Sequence, residues 1–156
     1  MPISLDFLVK PYLNNSIMNR NNNHAQVWAV KILPVDDNAD IENHFGENRI
    51  MVSGPWCDML HSSVELTCDD NQATGAAALD LKIKIADSSD IMQALCRLLS
   101  SLPVVVRLDY SNEETKVIGT DTSPLYLSYS IGGNPRTITL SYKGDLPERP
   151  KDLSSF

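Results

Sequence analysis

Leu79-Asp80-Leu81-Lys82-Ile83-Lys84-Ile85, then Asp87-Ser88-Ser89-Asp90-Ile91-Met92-Gln93-Ala94-Leu95-Cys96-Arg97-Leu98-Leu99-Ser100-Ser101-Leu102, then Pro103-Val104-Val105-Val106-Arg107-Leu108-Asp109-Tyr110: this stretch decides the fold class. In its first part every odd position is apolar and every even one charged. A period of two puts Leu79, Leu81, Ile83 and Ile85 on the core face of a strand. The period then changes. Asp87, Ser88, Ser89 and Asp90 supply N-cap side chains, Gln93 follows Asp90 at capping-box spacing, and Ile91, Leu95, Leu98, Leu99 and Leu102 recur at helical intervals. This spacing predicts a helix over residues 90–101, stopped by Pro103, with a strand resuming over 104–110. Strand, helix and strand in this order fit either a parallel crossover or an α+β fold in which the two strands are not neighbours.

Towards the C-terminus the pattern reads as a meander of two antiparallel hairpins. Ser111-Asn112-Glu113-Glu114 turns into a strand over 115–119; after Pro124 a strand over 125–131 meets Gly132-Gly133-Asn134-Pro135 and returns over 137–142. In the last strand Ile138, Leu140 and Tyr142 face one way and Thr137, Thr139 and Ser141 the other, as expected for a sheet with one wet face. Residues 146–156 hold two prolines and little periodicity, which predicts an extended tail, either lying on a neighbouring subunit or frayed. Towards the N-terminus, residues 26–33 are apolar and β-branched and predict a buried strand ending at Pro34. Residues 35–48 read as an acidic linker, 49–52 as a short strand before the Gly54-Pro55 break, and 64–67 as an alternating strand before a turn at Asp69-Asp70-Asn71-Gln72. Residues 3–13 predict a first or edge strand, and the asparagine-rich residues 14–23 an exposed loop.

The sequence therefore predicts an α+β class: β-rich, mostly antiparallel, with one principal helix. A single domain over residues 1–145 followed by a tail over 146–156 fits a length of 156 residues. A hydrophobic content of 42% against 21% charged residues is that of a folded chain rather than a disordered one. The net charge of −7, with Lys and Arg scattered, lacks the positive footprint that nucleic acid or an anionic membrane surface requires. The start, Met1-Pro2-Ile3-Ser4-Leu5-Asp6, does not resemble a signal peptide, and Cys57, Cys68 and Cys96 lack paired spacing, so a cytoplasmic location without a disulfide framework is expected.

Asp36, Asn38, Asp40 and Glu47 occupy positions one, three, five and twelve of a calcium EF-hand loop, but Ile41 stands where the turn needs glycine, so a solvated acidic loop is the simpler reading of residues 36–47. Cys57, His61 and Cys68 do not form a zinc knuckle. His24, His44 and His61 have no nucleophile elbow beside them, the acid pairs Asp69–Asp70 and Glu113–Glu114 sit at predicted turns, and Gly132-Gly133-Asn134-Pro135 precedes a strand rather than a phosphate-binding helix. Lys82 and Lys84 share one strand face and read as solvated. Tyr110, Tyr126, Tyr129, Tyr142, Trp28 and Trp56 offer material for a stacking platform, but most fit alternating strand patterns and read as core or half-buried packing; Tyr126 is the exception, on the wet side beside Ser128 and Ser130. No catalytic, cofactor-binding or metal-binding residue is assigned.

The run Leu102-Pro103-Val104-Val105-Val106-Arg107-Leu108-Asp109-Tyr110, with Lys116-Val117-Ile118-Gly119-Thr120, Pro124-Leu125 and the strand Thr137-Ile138-Thr139-Leu140-Ser141-Tyr142, resembles small uncharacterised proteins encoded in bacterial prophage structural-gene clusters. The resemblance covers about a third of the chain and implies a virion or tail-assembly role; it carries over no functional residues. The expectation is a non-enzymatic structural or assembly protein, cytoplasmic or in the virion, whose partners are other protein subunits, self included, with no nucleic acid, membrane or small-molecule substrate. The alternative is a module that binds carbohydrate or calcium.

Overall fold

The fold was analysed in a computed structural model that describes residues 26–70, 76–134 and 136–154. The strand expected over 3–13, the loop over 14–23, His24 and the turn residues Asn71 and Gln72 lie outside the described residues.

Among the described residues eleven strands and one helix follow in the order β1 (Val27–Pro34), β2 (Asp40–Asn43), β3 (Arg49–Ser53), β4 (Cys57–Met59), β5 (Ser63–Asp70), β6 (Ala77–Ile85), α1 (Asp90–Ser100), β7 (Val104–Tyr110), β8 (Thr115–Ile118), β9 (Ser128–Gly132), β10 (Thr137–Leu146) and β11 (Lys151–Ser154). They form a seven-stranded sheet ordered β2-β3-β11-β8-β7-β1-β4 and a four-stranded sheet ordered β5-β6-β10-β9. Among the described residues every pairing is antiparallel except that of β11 with β3. The α+β, β-rich class with one helix is as expected. β6 and β7 lie in different sheets, so the strand, helix and strand do not make a parallel crossover.

The two sheets close over one core. β6 contributes Leu79, Leu81, Ile83 and Ile85 and β10 contributes Ile138 and Leu140; facing them are Val30 and Ile32 of β1, Val104, Val106 and Leu108 of β7, and Ile118 of β8. Burying each of these side chains stabilises the fold by about 1.5–3 kcal/mol. α1 rests against β9 and β10 and closes one end with the buried Cys96 and Leu99. Its N-cap is Ser89, whose hydroxyl accepts from the Met92 amide at 3.3 Å; Gln93 donates instead to the Ser88 carbonyl at 2.8 Å, so the capping pair expected between Asp90 and Gln93 does not form.

A second buried cluster, Leu33, Ile50, Val52, Val105 and Val117, lies on the opposite face of the larger sheet. β1, β7 and β8 are thus covered on both faces. That is why Val104-Val105-Val106 reads as an unbroken apolar run where a half-buried strand would alternate. Gly54 lets the chain turn from β3 towards β4 against this cluster, because a Cβ there would meet Leu33 Cδ1 at 3.0 Å and the Asn38 carbonyl at 3.2 Å.

The tail expected over 146–156 is corrected by the structure. Leu146 ends β10, and Lys151–Ser154 form β11 in the interior of the larger sheet, joining the β2–β3 hairpin to β8. Proline dominates the sequence signal in this segment, but Pro147 and Pro150 precede the strand, where the missing N–H groups cost no ladder bonds. The expected strand over 125–131 is also shorter: Leu125 makes only an isolated bridge to Val104, and β9 starts at Ser128.

Candidate functional site

A concave surface lies where the end of the larger sheet meets the edge of the smaller one. Val27 pairs with Tyr110 at the start of β1, and the next paired residues are Ala29 and Asp109, so Trp28 is an extra residue that bulges from the ladder. The chain leaving β4 turns through His61 and Ser62 into β5; Ser62 donates its amide to the Lys84 carbonyl at 2.7 Å, and His61 Nε2 lies 3.3 Å from the Val27 carbonyl. Gln26 and Ser111 exchange hydrogen bonds of 2.7 and 3.1 Å that fix the opposite wall.

These elements enclose about 420 Å³ lined by Gln26, Val27, His61, Ser63, Val64, Leu66 and Tyr110 among others. Val27, Val64, Leu66 and Tyr110 are half-buried against the main core and give the groove an apolar floor, while Gln26, His61 and Ser63 make a polar rim. Burial raises the Tyr110 phenol above its ordinary value, with Glu114 adding to the effect, so the ring meets the groove as a neutral donor. This volume and this mixture of floor and rim suit a ligand or a peptide side chain. Its lining comes from three separated segments, and no local motif announces it.

A polar centre of a different kind joins β11 to the β2–β3 hairpin. Lys151 donates to Glu148 Oε1 at 2.6 Å, to Asn43 Oδ1 and to the His44 carbonyl, while Glu148 also accepts from Asn43 Nδ2 at 3.0 Å and the Gly46 amide at 3.1 Å. Burial alone would raise the Glu148 carboxyl, but the hydrogen bonds from Lys151, Asn43 and Gly46, with the lysine charge, hold it below its ordinary value. Every one of these groups has a partner. The centre ties strands together and offers no open valence for a ligand. Sequence reading missed it because Lys151 looks like one charge in a tail; its inward parity beside Leu153 becomes visible only once β11 is known to be a strand.

The third feature is an apolar stripe in solvent. Ile91 and Leu98 are 84% and 55% exposed on α1, with Ala94 exposed between them at helical spacing, on a face other than the one carrying the buried Cys96 and Leu99. Ile131, on the neighbouring β9, is exposed as well.

The residues singled out in the sequence are dispersed. In the acidic loop, Asp36 accepts from the Asn38 amide at 2.8 Å in a local turn, Asp40 opens β2, and Glu47 follows β2 at its far end, so a strand separates the four calcium-spaced residues. Cys57 and Cys68 pack against the main core from β4 and β5, and His61 is turned to Val27. His44 lies 3.3 Å from Glu42 in solvent. Asp69 and Asp70 are the last residues of β5 rather than a turn, and Asp70 pairs with Arg149 at 3.3 Å. Glu113 does sit in a turn, with φ at 69°. Gly133, at φ 92°, belongs to the β9–β10 turn. Lys82 and Lys84 lie on the outer face of β6. Of the aromatics, Tyr110, Tyr129 and Tyr142 pack on the main core, Trp56 packs on the second cluster with Arg107 5.8 Å from its ring, and Trp28 and Tyr126 are exposed. They do not share one face. Among the described residues no three His, Cys, Asp or Glu side chains gather as a metal site, and no helix is long and apolar enough to cross a membrane.

Comparison with protein-family models, with curated proteins and with solved structures gives no match.

Proposed function

We propose that this protein is a non-enzymatic structural or assembly component that works by binding other protein subunits, in the prophage virion or tail setting that its C-terminal third resembles. The observation that carries the reading is the solvent-facing stripe Ile91, Ala94 and Leu98. Single exposed apolar residues are ordinary on a protein surface; two large ones seven residues apart on a helix whose other side is already packed form a contiguous strip of the kind that partner contacts cover. Cytoplasm or virion is the location that goes with this reading. A sedimentation-velocity series over concentration tests it: the reading predicts a weight-average mass that rises with concentration, and a strict monomer across the series that also takes no virion partner in pull-downs contradicts it.

A ligand-binding module is the second reading, and the groove beside Tyr110 is the observation in its favour. A ligand held only by the native state raises apparent stability, so thermal shift against a glycan panel and calcium separates the two readings.

A further inference from the structure

We propose that the edge of β5 left unpaired among the described residues is a strand-acceptor site, taking an extended segment of a different protein that alternates apolar and basic residues. The inference rests on the assembly reading and names the kind of partner. Among the described residues β5 is an outer strand of the four-stranded sheet, paired only with β6, and at eight residues it equals β1 in length. Such an edge presents unpaired N–H and C=O groups, and proteins usually blunt it with charged side chains, lysine above all, with proline or with a bulge. Ser63-Val64-Glu65-Leu66-Thr67-Cys68-Asp69-Asp70 contains neither lysine nor proline, and its register with β6 runs unbroken from Ser63↔Lys84 to Asp70↔Ala77.

The groove supplies the second half of the site. Val64 and Leu66 point inward from β5 and line it together with Val27 and Tyr110 across the gap. A strand added along β5 places its own inward residues over this floor, so alternate apolar side chains fill the 420 Å³ while the backbone completes the ladder.

Charge selects the occupant. The outward side chains Glu65 and Asp69 are exposed; Glu65 faces Lys82 on β6 and keeps its other side open to an added strand, and Asp69 faces only Ala78. A second copy pairing antiparallel about Thr67 would set Glu65 opposite Asp69 twice, like against like, in a chain whose net charge is already −7. Basic residues at the outward positions of the partner reverse that sign.

A blocked octapeptide alternating valine and lysine, its glutamate counterpart, and the same lysine peptide N-methylated at alternate amides are the probes, titrated into the full chain by fluorescence anisotropy with hydrogen exchange read residue by residue. The lysine peptide is expected to bind about fivefold or more tighter than the glutamate peptide, to slow exchange in β5 and to lose binding on N-methylation. Asp69→Lys, at a position that faces Ala78 rather than a charge, is expected to reduce the preference at least twofold, in a protein whose β6 exchange is unchanged. Equal affinity for both peptides, binding that survives N-methylation, or protection outside β5 overturns the inference, and the wild-type measurements stand without the variant. Loss of concentration-dependent association would instead count against the assembly reading, so the two fail separately.

Discussion

Lys151 and Glu148, three residues apart and with side chains only 5% and 12% exposed, close a 2.6 Å ion pair whose remaining bonds all go to the β2–β3 hairpin more than a hundred residues upstream. The pair lies where the last strand enters the larger sheet. Removing the cation leaves a carboxylate out of water with only Asn43 and the Gly46 amide to hold it. Lys151→Met is therefore expected to cost about 3 kcal/mol in urea unfolding, and the double replacement with Glu148→Met less than the sum of the single ones, because each single change strands the other charge. Additive losses would show that the pair does not act as a unit.

Acid should find the same weak point. The folded Glu148 carboxyl titrates below its ordinary 4.5, so the native state holds the proton less tightly than the unfolded chain. Its stabilising contribution is complete above that ordinary value and is lost as the pH falls through the lowered native one. Glu148→Gln should lower stability at neutral pH and flatten this part of the acid limb, measured as unfolding free energy against pH.

Cys96 is fully buried between the sheets and α1, and burial, with a smaller contribution from Cys57, pushes its thiol up to about 11. Thiolate is the reacting form, so at pH 8 Cys96 should stay unlabelled by iodoacetamide in the native protein and react after denaturation. Rapid native labelling at Cys96, read by peptide mass, would mean that the helix end of the core opens readily.

Glu113 is the one non-glycine residue with positive φ among the described residues, at 69° in the β7–β8 turn. A left-handed backbone costs an L side chain about 1–2 kcal/mol, part of which glycine forfeits in the unfolded state. Glu113→Gly should stabilise the protein by about 0.5 kcal/mol in thermal unfolding.

How far the sequence could be read follows from which signals are local. β6, α1 and β7 were legible because period two, period 3.6 and Pro103 are properties of neighbouring residues. β4 was not, since Cys57-Asp58-Met59 is too short to show a period, and β2 was hidden by the acidic composition of Asp40–Asn43. β11 was hidden by its prolines. β5 was underestimated because Asp69 and Asp70 read as turn residues, whereas on an edge strand their side chains reach water. The pairing of β11 with β3 and β8, and the division into two sheets, depend on contacts between distant residues that a single sequence does not print. The groove shares that fate: Val27, His61, Leu66 and Tyr110 meet only when both sheets are in place.

The stripe on α1 carries the assembly reading, so its removal tests that reading most directly. Ile91→Ser with Leu98→Ser changes two exposed side chains and leaves Cys96 and Leu99 in the core, so the fold is expected to remain. Sedimentation equilibrium of wild type and double variant at matched concentrations is the measurement. The account predicts a wild-type mass above that of the 17.3 kDa chain and a variant shifted towards it; identical masses for the two proteins, with circular dichroism unchanged, would contradict it.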